Sequence, residues 1–404
     1  MPLHRRSLLA GTALAALARP AILRAAETPG VTASEIRIGN TMPYSGPASA
    51  YGVIGRSHEA FFKMVNEQGG IAGRKITFIT YDDGYSPPKT VEQTRRLVEQ
   101  DRVAFTFNQL GTPTNNAIQR YCNQRKVPQL YVATGADKWG NWKEFPWTMG
   151  WQPSYRTEAQ IYAKHLLAER RDFRLAIVFQ NDDFGKDYVA GLRDVIGAER
   201  FDATVKTASF EITDPTPDSQ ILSLQGTGAD VLMIALGPKA AAQAIRKTHD
   251  IGWQAQRYLT NVSLSVGAVM QPAGVEKGVG IITSGYLKEQ GDAAWRDDPG
   301  MNEYRAFMKQ WMPDGDLHDS NTVYGYALGR TLQQLLTQCD GNFSRENVMR
   351  QAASLRDVAI PVLLPGITLD TGPQDYRPIQ KMQLQRWDGR SWVRFGGLIE
   401  GAEV

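Results

Sequence analysis

A strand–helix–strand pattern in residues 36–83 constrains the fold of this chain more than any other feature. Residues 36–39 are typical of a buried strand, and apolar residues at helical spacing follow them as far as Val65. The pair Gly69-Gly70 permits the left-handed exit from that helix, and residues 76–80 predict a second strand. Two strands joined by a helix form a parallel crossover unit, so we expect a parallel sheet covered by helices.

The same alternation continues in two sets, which predicts an α/β fold with two doubly wound parallel-sheet lobes. A length of 404 residues is enough for two lobes with separate cores. In the first set, helices are predicted at residues 89–100 and 113–125, and strands at 103–107 and 128–133. In the second set, which begins near Pro153, helices are predicted at residues 155–169, 184–196 and 239–249, and strands at 175–179, 231–236, 257–260 and 280–283.

The turns of the first crossover unit stand in a specific order. They are Ser45-Gly46-Pro47, Tyr51-Gly52, Gly69-Gly70 and Asp82-Asp83. In this order and spacing the chain resembles the start of the mature leucine/isoleucine/valine-binding protein family, the type I periplasmic solute-binding proteins of ABC importers. The resemblance covers residues 36–280 and implies two lobes that are joined by three hinge crossings.

Small, proline or glycine residues stand where this resemblance places the three crossings. They are Met149-Gly150, Ser284-Gly285 and Pro365-Gly366, which fit hinge strands. The resulting domain prediction puts residues 32–149 and 285–365 in the first lobe, and residues 150–284 and 366–404 in the second.

The first 26 residues have the composition of an export signal. Arg5-Arg6 precedes a short apolar run that ends at Ala18, and the small residues Ala25 and Ala26 offer a cleavage site. The arginine pair and the weakly apolar run favour the twin-arginine route, with an ordinary Sec signal as the alternative. The run is shorter than the roughly 20 residues that span a membrane, so we expect a periplasmic protein whose signal is cleaved near Ala25 or Ala26.

Removal of this segment changes the charge of the chain. The full sequence has 45 lysines and arginines against 42 acids, and residues 1–26 hold four of the arginines and no acid. The net charge therefore falls from +3 to −1 in the mature chain. No excess of positive charge remains that would indicate a nucleic-acid or membrane surface.

The cysteines and histidines predict neither a metal centre nor a cofactor. Cys122 and Cys339, the two cysteines, each lie in a stretch of helical pattern. We prefer two buried, unpaired thiols to a disulfide, which an exported protein also allows. The five histidines are scattered and have no neighbours at ligand spacing.

Three sequence motifs that are common in enzymes are missing from the sequence. No glycine-rich dinucleotide loop follows a predicted strand, and neither a phosphate loop nor a nucleophile elbow is present. Asp82-Asp83 could be read as a pair of catalytic carboxylates, but turn formation explains it better. We therefore expect a protein that is not an enzyme.

Two turns at the ends of neighbouring strands predict a binding site instead. Residues 108–113 and residues 131–135 each leave a strand toward a predicted helix, with Thr112 as the expected N-cap of the first helix. Gly111 would let a ligand approach the backbone, and unpaired N–H groups at the helix starts would bind an anion. The alternative is two ordinary strand–helix turns.

A comparison with amino-acid binders of the resembling family points to a different ligand. In those proteins the first turn supplies a serine hydroxyl and the second a threonine hydroxyl, where this chain has Gly111 and Gly135. The glutamate that binds the ammonium group falls near Asn261, where this chain has no acid. A buried ammonium without a partner would cost several kcal/mol, so we expect an organic acid rather than a standard amino acid.

Aromatic residues surround the predicted site and favour an aromatic acid. Residues 139–151 alone hold four tryptophans and a phenylalanine, which either cover a loop or form a wall of the cleft. The predicted ligand-binding residues are Tyr51, Gln109, Leu110, Gly111, Thr112, Ala133, Thr134, Gly135, Trp151, Phe184, Asn261 and Tyr286.

The sequence therefore predicts a monomeric periplasmic protein that captures a small carboxylate between two lobes. The resemblance implies delivery of that ligand to the permease subunits of an ABC importer. Two alternatives are the ligand-sensing subunit of a receptor and an exported enzyme on the same two-lobed scaffold.

Overall fold

The computed structural model describes residues 28–401 of the chain. The predicted signal, with Arg5-Arg6 and the cleavage site near Ala25 or Ala26, lies outside the described residues.

The strands are β1 (Glu35–Met42), β2 (Lys75–Asp82), β3 (Phe105–Phe107), β4 (Gln129–Val132), β5 (Thr148–Gly150), β6 (Leu175–Gln180), β7 (Val205–Phe210), β8 (Val231–Ala235), β9 (Gln256–Leu259), β10 (Ile282–Gly285), β11 (Lys381–Trp387) and β12 (Trp392–Glu400). The helices are α1 (Gly52–Glu67), α2 (Pro87–Glu99), α3 (Thr112–Gln124), α4 (Tyr155–Glu169), α5 (Asp183–Ile196), α6 (Ala198–Thr204), α7 (Asp218–Gln225), α8 (Pro238–Asp250), α9 (Gln271–Ala273), α10 (Pro299–Trp311), α11 (Ser320–Gln338) and α12 (Arg345–Ala352).

The strands form two separate sheets, and the predicted fold class is confirmed. The first sheet has the order β2-β1-β3-β4-β5, and all its strands are parallel. The second sheet has the order β12-β11-β10-β9-β8-β6-β7. Strands β6 to β10 are parallel, whereas β11 and β12 add an antiparallel hairpin at one edge that the sequence analysis did not predict.

Helices cover both faces of the second sheet, as the pattern of β6 shows. Leu175 and Ile177 pack into one hydrophobic cluster, together with residues of α4 and α5. Ala176 and Val178 point the other way and pack into a second cluster, with residues of α7 and α8. Successive residues of a strand face opposite sides of the sheet, so this strand is buried on both faces.

The chain passes between the two sheets three times. It leaves the first sheet after β5 and builds the second sheet as far as β10. Helices α10 and α11 then return to α1, where the Phe61 ring contacts the rings of Phe307 and Tyr326. Strand β11 finally rejoins the second sheet. The residue boundaries of the two lobes follow these crossings and stay a proposal.

The tryptophans of residues 139–151 pack into the core. The side chains of Trp139 and Trp151 are buried, and Trp142 and Trp147 are half-buried against the same hydrophobic cluster. Both cysteines are buried and unpaired, as predicted. Among residues 28–401, none of the helices combines the length and the apolar composition that a membrane crossing requires.

Candidate ligand-binding site

A cavity of about 120 Å³ lies between the two sheets, at the carboxyl ends of their strands. This is the edge at which open parallel sheets bind ligands, and the volume is close to that of protein cavities that hold one benzene-sized molecule. Seven aromatic side chains line the cavity: Tyr51, Tyr85, Tyr155, Phe184, Phe210, Tyr286 and Tyr324.

We distinguish two walls of this cavity. The first wall belongs to the first sheet and includes Tyr51, Tyr85, Leu110, Gly111, Thr112 and Ala133. The second wall belongs to the second sheet and includes Gln180, Phe184, Gly237, Lys239, Asn261 and Val262. The two walls touch, because Tyr51 Oη donates a hydrogen bond to the carbonyl of Val262 at 3.1 Å.

The structure brings eight of the twelve predicted residues together around this cavity. Their roles in binding stay a prediction. They are Tyr51, Leu110, Gly111, Thr112, Ala133, Phe184, Asn261 and Tyr286.

Gln109 and Trp151 lie outside the cavity wall, because both side chains are used inside the core. Gln109 is buried, and its Nε2 donates to the hydroxyls of Thr41 and Thr94, each at 3.0 Å. The Trp151 ring is also buried and donates from Nε1 to the hydroxyl of Thr331 at 3.2 Å.

Thr134 and Gly135 lie behind the first wall rather than on it. The Thr134 hydroxyl lies 2.5 Å from the hydroxyl of Thr112, so it orients a residue that does line the cavity. Gly135 packs under the ring of Tyr155, where a Cβ atom would lie 3.0 Å from two ring carbons.

The start of α3 differs from its prediction in one detail. Gly111, with φ +102°, is the N-cap, and Thr112 is the first helical residue. A Cβ atom at Gly111 would lie 2.5 Å from the Tyr85 ring, so no serine fits here without movement of that ring. By helix geometry the N–H groups of Thr112 and Thr114 have no acceptor within α3.

The prediction of a second helix start after β4 is wrong. Residues 131–135 lead into the four-residue 3₁₀ turn Asp137–Gly140 and not into an α-helix. The chain instead folds back toward α4, and the N–H of Tyr155 donates to the carbonyl of Gly135 at 2.7 Å. On the second wall, helix α8 also begins at the cavity, through Gly237 and Pro238.

A layer of neutral polar side chains supports the first wall. Asn108, with φ +49°, donates from Nδ2 to the carbonyl of Tyr131 at 2.7 Å and to the hydroxyl of Tyr324 at 3.2 Å. His58 Nε2 lies 2.9 Å from Asn108 Oδ1, and Asn40 Nδ2 donates to the Asn108 carbonyl at 3.0 Å. Burial lowers the pKa of His58 to about 4, so the ring is neutral at neutral pH.

A buried carboxyl group supports the second wall. Glu158 accepts hydrogen bonds from the hydroxyls of Tyr162 and Tyr188, the latter at 2.6 Å. It also accepts from the backbone N–H of Asn261 at 2.8 Å and from the Asn261 side-chain amide. Burial raises the pKa of Glu158 to about 7, although these hydrogen bonds lower it. Sequence patterns missed this group, which lies on a helix rather than in the segment around Asn261.

Charged groups of both signs also reach the cavity. Lys239 is exposed at the start of α8, whereas Lys288 forms an ion pair with Asp298 at 2.8 Å. Glu289 is 6% exposed, and its carboxylate receives a long hydrogen bond of 3.5 Å from the N–H of Gly291. Burial, aided by nearby acids, raises the pKa of Glu289 to about 7, so it is only partly ionised at neutral pH.

The family model described as periplasmic binding protein matches residues 35–391 of this sequence. That match covers the first sheet, the second sheet except β12, and every residue of the two walls. The chain belongs to the periplasmic binding protein family. Members of this family bind solutes for ABC-type transport.

Named relatives of this binding protein differ in their ligands. It is 25% identical over 354 residues to a Leu/Ile/Val-binding protein homolog of Brucella melitensis, with 85% of this chain and 86% of the relative covered. Two solved structures share its fold. One is a branched-chain amino acid ABC transporter protein of Thermus thermophilus with bound valine (TM-score 0.80, 13% identity, 92% of this chain and 98% of the other covered). The second is a fatty acid ABC transporter substrate-binding protein of Thermomonospora curvata (TM-score 0.76, 19% identity, 93% and 95% covered).

Proposed function

We propose that this binding protein captures a small organic acid, preferably an aromatic one, and not a standard amino acid. It then delivers the acid from the periplasm to the permease subunits of an ABC importer, and it acts as a monomer that binds its ligand without catalysis. The start of α3 at the cavity, with Gly111 and Thr112, is the observation that carries the proposal.

The carboxylate is proposed to lie at the first wall, against the start of α3. The N–H groups of Thr112 and Thr114 have no acceptor in the helix, and the positive end of the helix dipole favours an anion there. The Thr112 hydroxyl, which Thr134 orients, is a further donor for the carboxylate. Seven aromatic rings around a small cavity support an aromatic body for the ligand.

The distribution of acids argues against an α-ammonium group. Asn261 stands on the second wall, and the resemblance places the glutamate of amino-acid binders near Asn261-Val262-Ser263, where this chain has no acid. The carboxylate behind it, Glu158, already accepts hydrogen bonds from two tyrosines and from Asn261. Glu289 and Asp214 also line the cavity. The raised pKa of Glu289 makes it a weak counter-charge at neutral pH, and Asp214 is exposed to solvent, where its attraction for an ammonium group is screened.

A ligand screen with a measurement of closure tests the proposed function. Aromatic and aliphatic acids should raise the melting temperature, because a ligand that binds the folded state stabilises it. Small-angle scattering should also show a more compact molecule with the active acid than without it. Unchanged scattering at saturation would contradict capture between the two lobes.

Removal of single hydroxyl groups tests the position of the carboxylate. Thr112→Val should weaken binding of the active acid roughly tenfold or more, since a hydrogen bond to a charged group contributes about 1.5–3 kcal/mol. Thr134→Val should have a smaller effect, because it acts through Thr112. Thr337→Val, at an exposed position of α11, is the control and should bind normally.

Replacement of the arginine pair tests the proposed export route. If Arg5-Arg6 directs the chain to the twin-arginine system, their replacement by two lysines should stop periplasmic accumulation. Normal accumulation of that variant would indicate a Sec signal instead.

A further inference from the structure

The side-chain amide of Gln152 is a buried polar group without a partner. Gln152 follows the first crossing between the sheets, lines the cavity and is 8% exposed. Its Nε2 is inaccessible to solvent and has no hydrogen-bond partner among residues 28–401. Buried amides in native proteins are nearly always satisfied, so this one calls for an explanation.

A second glutamine side chain also lines the cavity. Gln385 in β11 is 3% exposed and lines the cavity, and its side chain forms no hydrogen bond within residues 28–401. Gly285 leaves room for it, because a Cβ atom at that position would collide with the Gln385 amide nitrogen. The backbone at the second crossing is therefore shaped around this side chain.

Both glutamines lie close to the crossings, since Gln152 directly follows the first one and the Gln385 amide packs against Gly285 at the second. The rings of Trp151 and Tyr286 are in edge contact, with their centroids 5.8 Å apart. These two residues are the chain neighbours of Gln152 and Gly285. We call Gln152, Gly285 and Gln385 the amide floor of the cavity.

The chemistry of the amide floor selects one kind of ligand group. A glutamine amide offers N–H donors and a carbonyl acceptor, and a hydroxyl group is both donor and acceptor. A ligand without such a group would leave both amides unpaired, at a cost in free energy. An apolar cavity end would not need these side chains.

We propose that the natural ligand is a hydroxy acid whose hydroxyl group is bound by Gln152 and Gln385. This inference rests on the proposed function, because it assumes that the carboxylate binds at the start of α3. It adds a specificity determinant beside the crossings between the sheets.

Paired acids that differ by one hydroxyl group test the inference by titration calorimetry. The pairs are 4-hydroxybenzoate and benzoate, mandelate and phenylacetate, and 2-hydroxy-4-methylpentanoate and 4-methylpentanoate. At least one hydroxy acid should bind tenfold or more tightly than its partner, because sites built for a hydroxyl group reject analogues that lack it. Equal binding within every pair would overturn the inference and leave the proposed function intact. If none of the six acids bound, both would fail.

Methionine variants separate ligand recognition from a structural role. Gln152→Met and Gln385→Met keep the length of the side chain and remove the amide. Each should weaken the preferred hydroxy acid about tenfold while leaving its deoxy partner unchanged. Gln334→Met, at an exposed position of α11, should change neither.

The melting temperature of the ligand-free variants completes the test. Because neither amide has a partner in the described chain, its loss should leave the melting temperature unchanged or raise it. A clear decrease would mean that the amides stabilise the fold, for example through bound water, and would overturn their assignment to the ligand.

Discussion

The two walls of the cavity are supported by buried polar networks of opposite character. Behind the first wall, Asn108 holds together neutral groups, including a histidine whose pKa is lowered to about 4. Behind the second wall, Glu158 is a carboxyl group whose pKa is raised to about 7. Burial is the largest cause of both shifts, since it disfavours the charged form of either group.

This difference shows how one architecture produces two kinds of wall. The first wall is positioned by strained backbone and by amide side chains that do not titrate near neutral pH. The second wall depends on a group that ionises close to neutral pH and directly contacts the cavity residue Asn261. We therefore expect the first wall to hold the ligand over a broad pH range, and the second wall to respond to pH.

The largest effect should follow the loss of Asn108, the centre of the first network. Asn108→Ala removes bonds to Tyr131 and Tyr324, leaves His58 without its partner, and places alanine at φ +49°. We expect a loss of about 3 kcal/mol or more in the free energy of unfolding, measured in urea. Asn302→Ala, at an exposed position of α10, should change it by about 0.5 kcal/mol or less. A similar small change for both variants would show that the first network does not stabilise the fold.

Glu158→Gln should remove the pH response of the second wall. The folded state binds the proton of Glu158 more tightly than the unfolded state, so its contribution to stability is complete below about pH 4.5 and is lost as the pH rises through 7. Over this window the wild type should lose about 3 kcal/mol relative to the variant. Urea unfolding at a series of pH values measures the difference. If the free energies of unfolding of the wild type and the variant changed with pH in parallel, Glu158 would not be the group that titrates.

For His58→Gln, at the first wall, the difference in stability from the wild type should change with pH in the opposite direction. The pKa of His58 is lowered in the folded state, so its contribution is present above about pH 6.5 and is lost as the pH falls through 4. The wild type should therefore lose up to about 3 kcal/mol relative to the variant on acidification. The same urea series checks this, and a gain of wild-type stability on acidification would contradict it. If the two walls differ as described, the stability of the wild type relative to the variant must fall with rising pH for Glu158→Gln and with falling pH for His58→Gln.

Local patterns in the sequence were sufficient to predict the helices and turns whose ends are marked by capping residues or by glycine. Helix α4 was predicted at its observed bounds, Tyr155–Glu169, and Gly111 was placed correctly at the turn after β3. Strand β7 was missed because half of its side chains are exposed and only its two end residues are buried, so no apolar run marks it. The hairpin of β11 and β12 was missed because it lies beyond the part of the chain that follows the family pattern.

The parts of the site that were missed depend on distant segments. Glu158 lies on a helix, where an acid is normally exposed, and becomes buried only because Tyr188 and Asn261 surround it. Gln152 and Gln385 are more than 200 residues apart in the sequence, and both line the cavity because of the way the chain crosses between the sheets. No local spacing connects such residues, so their proximity could not be predicted from the sequence alone.

The central claim is that the cleft binds a carboxylate and does not recognise an α-ammonium group. Titration calorimetry of matched pairs tests it most directly: leucine and 4-methylpentanoate, valine and 3-methylbutanoate, and phenylalanine and 3-phenylpropionate. Each pair shares its carboxylate and its apolar body and differs only in the ammonium group. We predict that at least one acid binds and that its amino-acid partner does not, because the second wall has Asn261 where a counter-charge would be needed. Micromolar binding of an amino acid, with the matching acid inert, would contradict the account.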